Sequence, residues 1–363
     1  MIPIARPIIG DDEIHAVTEV MRSGVIAEGS KVADFENTYS KFIGVNHAIA
    51  VNSGTAALQI ALQAAGIGKG DEIVTSSFSF IATANSVLYT GARPVFADIS
   101  PDTFNIDPDA ILNGITPRTK ALLPVHLYGH PAEMKTIMEI AEDKKLKVIE
   151  DACQAHGAME QGKHAGSFGI GAFSFYPTKN MTTSEGGMIT TNDTEIDAVA
   201  RMLRSHGSKQ RYHHEMLGYN FRMTDISAAI GQVQLTKLDN FNQKRMENAG
   251  YLSAGLKGLP GIETPQVRNG CTHVFHQYTI RVTEDCRYER DQLVTSLGEN
   301  GIGTGIYYPI PIHKQPLYTN LGYTDSLKNT EIASRQVISL PVHPSVSREE
   351  LEHIITTIGE LTG

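Results

Sequence analysis

The sequence has no tryptophan and only three cysteines among its 363 residues. Cys153, Cys271 and Cys286 are odd in number and lack the spacing of metal ligands, which argues against a disulfide framework and a metal site and favours a reducing compartment. No block of Lys or Arg is present, and 31 basic residues face 40 acidic ones, for a net charge of −9. We therefore expect no nucleic-acid partner.

Long apolar runs are also missing. The first residues, MIPIARPIIGDDE, have no apolar core or cleavage-site pattern of a signal peptide, and Gln59 and Gln63 interrupt the alanine-rich stretch near residues 55–68. We therefore expect a cytoplasmic protein without membrane contact. No G-x-G-x-x-G follows the first predicted strand, which excludes a dinucleotide-binding dehydrogenase.

Between residues 46 and 155, short apolar segments alternate with helical patterns. The segments are HAIAVNS, DEIVTSS, RPVFADI, KALLPVHLYG and LKVIEDA. This alternation is typical of successive βα units and predicts a mainly parallel sheet. Small or polar residues follow several of these strands, and open α/β sheets bind ligands at the carboxyl ends of their strands. The chemistry of the protein is therefore expected at this edge.

The rest of the chain predicts a second region. GAFSFYP and GMITTN are two further β-rich segments, and residues 222–259 predict one or two long helices, after which the composition shifts at GLPGIETPQ. VFHQYTIRV, GIGTGIYYP and VISLPVH then alternate with helices, which is typical of a small α/β domain with an antiparallel sheet. We predict a large domain over residues 1–245 and a small C-terminal domain over residues 246–363.

Three polar features fall at the predicted sheet edge. Ser53-Gly54-Thr55 opens a helix and offers free backbone N–H groups to a phosphate. Asp151 ends the fifth strand, and Lys179 follows the next one in SFYPTKNMTTSEGG, where a desolvated amine is a nucleophile toward carbonyls. Each alone has an ordinary explanation, as a helix cap, a turn residue or a surface lysine. Together they predict pyridoxal phosphate, which needs a lysine for its aldehyde, an acid for its ring nitrogen and a helix N-terminus for its phosphate.

From residue 3 to about residue 360, the chain resembles the DegT/DnrJ/EryC1/StrS family of pyridoxal-phosphate-dependent sugar aminotransferases. The segments that carry the resemblance are VNSGTAALQIAL, GDEIVTSSFSFIATANSV, GARPVFADI, VIEDACQAHGA, FSFYPTKNMTTSEGGMITTND and LGYNFRMTDISAAIGQVQL. The resemblance implies aminotransferase fold type I, with a large domain on a mainly parallel sheet of the seven-stranded type and a smaller C-terminal α/β domain.

The resemblance also implies roles for individual residues. Lys179 is expected to hold the cofactor as a Schiff base and to act as acid and base, and Asp151 is expected to pair with the pyridinium nitrogen. The other implied cofactor contacts are Gln154 near the 3-hydroxyl, Ser174, Gly54 and Thr55 at the phosphate, Phe80 stacked on the ring, and Asn220 at the phosphate of the neighbouring subunit. Because Asn220 acts across subunits, a homodimer with shared active sites is expected.

The implied reaction has two halves, in a ping-pong cycle. L-glutamate gives up its amino group in the first, and a keto-sugar carried on a nucleotide diphosphate accepts it in the second, at carbon 3 or 4. Tyr308 and His313, in IYYPIPIHKQPLY, are the expected substrate contacts, and Arg211, in RYHH, is a further candidate near the diphosphate. We interpret His276 as an ordinary strand histidine and Cys153 as a small buried filler.

Two alternatives stay open at this stage. The first is an aminotransferase that acts on a cyclic ketone such as a keto-inositol. The second is a binding or regulatory module that retains the cofactor without catalysis, although the presence of Lys179, Asp151 and Gln154 argues against it. A cysteine desulfurase or β-elimination lyase needs a mobile catalytic cysteine, and none stands out.

Overall fold

A computed structural model describes residues 1–363. The helices are α1 (Asp11–Ser23), α2 (Ser30–Ile43), α3 (Gly54–Ala64), α4 (Ala82–Tyr89), α5 (Pro108–Gly114), α6 (Met134–Lys144), α7 (Thr194–Arg204), α8 (Asp225–Leu256), α9 (Arg290–Glu299), α10 (Pro316–Asn320), α11 (Lys328–Gln336) and α12 (Arg348–Thr362), with two 3₁₀ turns at Leu127–Gly129 and Ile312–Lys314. The strands are β1 (His47–Val51), β2 (Glu72–Ser76), β3 (Arg93–Ala97), β4 (Thr119–Leu123), β5 (Lys147–Asp151), β6 (Met159–Glu160), β7 (Lys163–His164), β8 (Ile170–Ser174), β9 (Gly187–Thr191), β10 (Ser208–Gln210), β11 (His213–His214), β12 (Ile262–Glu263), β13 (Cys271–Thr272), β14 (Tyr278–Val282) and β15 (Val337–Leu340). None of these helices has both the length and the apolar composition needed to span a membrane.

A seven-stranded sheet forms the centre of the molecule, with the strand order β1-β9-β8-β5-β4-β2-β3. The five strands from β8 to β3 pair in parallel, whereas β9 is antiparallel to both of its neighbours. Every residue of β2 and β9 is buried because both faces of the sheet are covered, as is usual for parallel sheets. The predicted mainly parallel sheet is confirmed, and the five predicted strands between residues 46 and 155 are β1 to β5.

Helix α3 packs against the central sheet beneath the edge where β1, β5 and β8 end. Its N-cap is Ser53, whose hydroxyl accepts the N–H of Ala56 at 3.1 Å. Thr55 is the only residue between Gly54 and Leu62 that is not buried. The alanines on this helix let its backbone approach the strands closely, so the start of α3 is held firmly at the sheet edge.

A second sheet is antiparallel and has the order β12-β14-β15. Leu252 and Leu256 from the end of α8 pack with this sheet and with Ile354 of α12 in a separate hydrophobic core. Ile2, at the other end of the chain, joins the same core. The antiparallel sheet predicted for the C-terminal part is therefore present.

Helix α8 is a single, uninterrupted helix of 32 residues. Its N-cap is Thr224, whose hydroxyl accepts the N–H of Ser227 at 3.1 Å. The predicted boundary between residues 245 and 246 falls inside this helix. The division into domains 1–245 and 246–363 stays a prediction, with a continuous element crossing it.

The segment GIGTGIYYP does not form the strand that its alternation predicted. Gly305 makes only an isolated bridge with Ser339. Pro309 and Pro311 have no N–H with which to continue a hydrogen-bonded ladder. The segment therefore reaches the edge of the central sheet as an irregular loop.

Candidate active site

A cavity of about 430 Å³ lies at the carboxyl ends of the central strands. Its walls come mainly from the segments that follow β1, β2, β5 and β8. The lining residues are Ser53, Gly54, Thr55, Leu58, Ser79, Phe80, Ala82, Thr83, Asp151, Cys153, Gln154, Ser174, Tyr176, Thr178, Lys179, Glu185, His276, Gln277, Tyr307 and Tyr308. The structure thus brings together all predicted site residues except Asn220, His313 and the further candidate Arg211.

Asp151 is the last residue of β5 and is 5% exposed. Its Oδ2 accepts a hydrogen bond from Thr83 Oγ1 at 2.7 Å, and its Oδ1 accepts one from the N–H of Cys153 at 3.2 Å. Thr83 has a single hydroxyl proton, which goes to Asp151. In the 2.7 Å contact between Ser79 Oγ and Thr83 Oγ1, Ser79 is therefore the donor. This chain of hydrogen bonds holds the carboxylate in one orientation at the cavity wall.

The start of α3 has the shape and the donors of an anion site. The N–H groups of Gly54 and Thr55 lie in its first turn and have no acceptor within the helix. A Cβ at Gly54 would lie 2.6 Å from Ser174 Cβ and 3.2 Å from Cys153 Sγ, so a larger residue would displace the Ser174 side chain. Free N–H groups, a neighbouring hydroxyl and the positive end of a helix together suit a phosphate.

Lys179 lies in a turn, where its backbone N–H donates a hydrogen bond to the carbonyl oxygen of Tyr176 at 2.9 Å. Its side chain lines the cavity, and its amine has neither a hydrogen-bond nor an ion-pair partner in the chain. Desolvation lowers the pKa of Lys179, and Cys153 and Asp151 oppose this shift only in part. A desolvated amine without a partner is suited to act as a nucleophile and as a base.

Gln154 connects two parts of the cavity wall. Its Oε1 accepts the N–H of Tyr128 at 2.8 Å, and its Nε2 donates to Tyr308 Oη at 3.2 Å. A backbone N–H is only a donor, so this contact fixes which end of the amide faces which partner. Phe80 is 56% exposed, and its ring centre lies 6.2 Å from that of Tyr308. The ring of Phe80 is therefore accessible to a ligand at the mouth of the cavity, next to the ring of Tyr308.

His313 does not line the cavity, which corrects its expected role as a substrate contact. Its ring is buried, with Nδ1 2.6 Å from Ser77 Oγ and Nε2 3.3 Å from Glu331 Oε1. The backbone N–H of His313 also donates a hydrogen bond to Ser77 Oγ at 3.0 Å. Because both ring nitrogens are occupied, His313 ties the loop that carries Tyr308 to the end of β2 and has no free group for a ligand.

Asn220 and Arg211 also lie outside the cavity of their own chain. Asn220 is exposed and forms a backbone bridge with Ser205. Arg211 is exposed as well, between β10 and β11, with its guanidinium 5.0 Å from the ring centre of Tyr212. Neither residue reaches the cavity within a single chain, so a role for either one requires a second copy.

Several polar residues of the cavity were not predicted from the sequence, among them Ser79, Thr83, Glu185, His276 and Gln277. Ser79 and Thr83 had a signal that was overlooked, because two hydroxyls four residues apart at a helix start lie on the same turn. His276, interpreted as an ordinary strand histidine, lines the cavity, and its Nδ1 has no hydrogen-bond partner. Gln277 and Glu185 line it too. No local pattern marks these last three as site residues.

The residues present fit pyridoxal phosphate. The free N–H groups of α3 suit its phosphate, the buried Asp151 carboxylate suits its ring nitrogen, and the unpartnered Lys179 amine suits its aldehyde carbon. All three face one cavity whose size suits a cofactor with a small substrate. The fold and the site together define a pyridoxal-phosphate-dependent enzyme of aminotransferase fold type I.

Comparison with known proteins names the family. The sequence profile of the DegT/DnrJ/EryC1/StrS aminotransferase family matches residues 7–359. The chain belongs to this family and is a pyridoxal-phosphate-dependent aminotransferase.

Relatives from several bacteria agree in length with this chain. It is 43% identical over 352 residues to a pleiotropic regulatory protein of Geobacillus stearothermophilus, with 96% of this chain and 93% of the relative covered. It is 41% identical over 350 residues to a UDP-N-acetyl-3-dehydro-alpha-D-glucosamine 3-aminotransferase of Acidithiobacillus ferrooxidans, with the same shares covered. The crystal structure of NtdA from Bacillus subtilis with bound cofactor PMP is 37% identical and matches with a TM-score of 0.89, covering 97% of this chain and 82% of NtdA.

Proposed function

We propose that this enzyme transfers the amino group of L-glutamate to carbon 3 or 4 of a keto-sugar carried on a nucleotide diphosphate. The observation that carries the proposal is one cavity that holds the unpartnered Lys179 amine, the buried Asp151 carboxylate and the free N–H groups at the start of α3. The name of the Acidithiobacillus relative, which specifies a UDP-linked sugar with a keto group at carbon 3, supports the class of acceptor.

In this proposal, each cofactor group has a partner in the chain. The N–H groups of Gly54 and Thr55 and the Ser174 hydroxyl would hold its phosphate, Asp151 would hold its ring nitrogen, and Lys179 would hold its aldehyde carbon. When bound, pyridoxal phosphate supplies an electron sink for the negative charge left when the Cα–H bond of the amino donor breaks.

Lys179 Nζ moves the proton in both halves of the reaction. Because desolvation lowers its pKa, this amine releases its proton more readily than an exposed lysine. Once the donor's amine has displaced Nζ from the aldehyde carbon, the freed Nζ would take the proton from the Cα of the donor and return it to the former aldehyde carbon, on the other side of the donor nitrogen. Asp151 keeps its orientation throughout, since Thr83 and the Cys153 N–H each donate to one of its oxygens and leave a further acceptor site for the ring nitrogen.

The aromatic mouth of the cavity is proposed to bind the acceptor. Tyr308 Oη accepts a hydrogen bond from Gln154 and keeps its own proton for a sugar oxygen. Phe80 and Tyr176, 56% and 48% exposed, offer apolar ring faces on which a cofactor ring, a sugar or a base can pack. These contacts leave the polar inner wall free for the amino donor.

A homodimer with shared active sites is part of the proposal. The segment before Asn220 carries Tyr212 and Leu217, whose side chains are 82% and 81% exposed. Large exposed apolar side chains in one segment are typical of a protein interface. We propose that Asn220 of one copy reaches the phosphate site of the other.

The name of the Geobacillus relative bears on the alternative of a regulatory module. A module that only binds the cofactor has no use for a base that can move a proton. Lys179 has a free amine, and Gln154 and Asp151 are fixed by hydrogen bonds around the same cavity. This arrangement favours an enzyme.

Absorption spectroscopy tests the proposal. We expect the purified holoenzyme to show the visible absorption of the lysine-bound cofactor and to lose it on addition of L-glutamate, whereas Lys179→Ala shows neither and loses turnover by a factor on the order of 10⁴. Nucleotide keto-sugars are then screened, with the amino-sugar product detected by mass spectrometry. A cofactor that no amino donor discharges would contradict the enzymatic proposal and favour the binding module.

A further inference from the structure

Two polar side chains of the segment that leads into β14 line the cavity without a partner in the chain. His276 and Gln277 are each 6% exposed, and neither side chain makes a hydrogen bond within the chain: Nδ1 of His276 is enclosed, and its Nε2 and the Gln277 amide have no partner either. Their backbone is fixed, because Val274 N–H donates to Gly129 O at 3.0 Å and Gln277 N–H donates to Tyr128 O at 3.2 Å. Leaving buried polar groups unpaired destabilises a fold. These two side chains are therefore arranged for a ligand.

A positive charge lies directly behind these residues. Arg245 of α8 is 5% exposed and has no carboxylate partner, and its Nη1 donates to the carbonyl oxygens of Phe275 at 3.1 Å and His276 at 3.3 Å. Burial lowers the pKa of Arg245 to about 10, so it remains a cation at neutral pH. A buried cation without a counter-ion favours an anion in the adjoining cavity.

His276 faces this cavity as a neutral hydrogen-bond donor. Burial, together with the positive charges of Lys179 and Arg245, holds the pKa of His276 well below its usual value. A neutral imidazole has one N–H. Nδ1 is enclosed without an acceptor, and an enclosed donor without an acceptor is unfavourable, so the proton belongs on Nε2. That leaves Nε2–H available to a ligand.

From these contacts we propose that His276 and Gln277 bind a carboxylate of the amino donor, with Arg245 supplying the positive field. The inference rests on the proposed function and deepens it by assigning the donor subsite. A carboxylate gains more than a sugar hydroxyl from the same donor groups, because hydrogen bonds to charged acceptors are stronger. The subsite therefore serves the amino-acid half of the reaction.

The test compares His276→Phe with His343→Phe in the holoenzyme. His343 is a matched control: it is 2% exposed, its Nδ1 also lacks a partner, and its Nε2 bonds to Pro3 O at 3.0 Å, but it lies outside the cavity. Calorimetry measures the binding of glutarate, a dicarboxylate without an amine. Single-turnover absorbance measures the glutamate concentration for half-saturation and the limiting rate.

We expect His276→Phe to weaken glutarate binding about tenfold and to raise the half-saturating glutamate concentration by a similar factor. The limiting rate should change less than about threefold, since the reacting atoms keep their positions. His276→Asn retains an N–H donor and should recover part of the affinity. His343→Phe should leave both quantities unchanged.

Gln277→Leu gives a second, independent measurement if His276→Phe does not fold, and it should weaken glutarate by a smaller factor. Unchanged glutarate binding in the folded cavity variants overturns the subsite, and so does equal weakening in His343→Phe. A wild-type enzyme that reacts with glutamate but does not bind glutarate overturns the subsite and leaves the proposed function standing. Glutarate binding that depends on His276, in a protein without transaminase activity, supports the subsite and overturns the proposed function.

Discussion

The two sides of the cavity differ in how completely their polar groups are paired. The closed wall, made of Ser79, Thr83 and Asp151, is a chain of hydrogen bonds that fixes the carboxylate through one bond to each of its oxygens. The open wall, made of His276 and Gln277, has side chains without partners. A cofactor that stays bound suits preorganised groups, whereas a substrate that leaves in every cycle suits groups that it alone completes. The paired wall is therefore expected to hold the cofactor, which is retained, and the unpaired wall to bind the substrate, which is exchanged in every cycle.

The largest effect in this comparison is expected from Asp151→Asn, which removes the charge of the closed wall. The amide can still accept the hydrogen bond of Thr83, but it no longer offers a negative charge to the cofactor ring nitrogen. We expect turnover at saturating cofactor to fall by a factor on the order of 10²–10³. Thr83→Val, which keeps the charge and removes only the 2.7 Å donor, should cost about tenfold. Full activity of Asp151→Asn would show that another group holds the ring nitrogen.

A smaller effect is expected from Gly54→Ala, which fills the phosphate end of the cavity. The new Cβ would lie 2.6 Å from Ser174 Cβ, so the hydroxyl must shift. We expect the Kd for pyridoxal phosphate, measured by titration of the apoenzyme, to rise about tenfold to a hundredfold. Gly250→Ala is the control, since Gly250 lies in α8 and the new Cβ would meet no atom within 4 Å apart from its own stretch of helix. It should leave the Kd unchanged and stabilise the fold by about 0.5–1 kcal/mol.

The smallest effect is expected from two buried neutral histidines that belong to neither wall of the cavity. Their protonation should change the stability of the fold and not the binding of a ligand. His156 bonds Tyr39 and the carbonyl of Ser174, and burial lowers its pKa to about 3; burial likewise lowers the pKa of His130 to about 4. The unfolded chain binds protons near pH 6.5 and the folded chain does not, so stability is lost as pH falls below that value.

We expect each of these two histidines to remove about 1 kcal/mol from the free energy of unfolding between pH 7.5 and 5.5. Urea unfolding followed by circular dichroism measures it, since the chain has no tryptophan to report. Stability that is flat across this range, or that rises toward pH 5.5, would contradict the neutral state of these residues.

Of the closed wall, Asp151 was predicted from the sequence and Ser79 and Thr83 had a signal that was overlooked, whereas no local pattern marks the open wall. Asp151 ends β5 and Lys179 follows β8, and the apolar pattern of both strands is local, so the edge that these residues share could be predicted. His276 reaches the cavity only because Val274 pairs with Gly129, a contact between distant parts of the chain. The expected role of His313 was wrong for the same reason. A sequence motif does not show which way the imidazole ring points, and here a hydrogen bond to Ser77, 236 positions away, turns the ring away from the cavity.

Helix α8 has a mechanical consequence. Its 32 residues at 1.5 Å each make a rod about 48 Å long without a proline. Ala228 near its start packs in a core of the central sheet, and Leu252 near its end packs in the core of the small sheet. A hinge needs residues that absorb a large change in backbone angles, and an intact helix offers none. We therefore expect α8 to hold the two sheets in a fixed relative position. Substrates would then enter and leave by diffusion through the aromatic mouth of the cavity, without a domain movement.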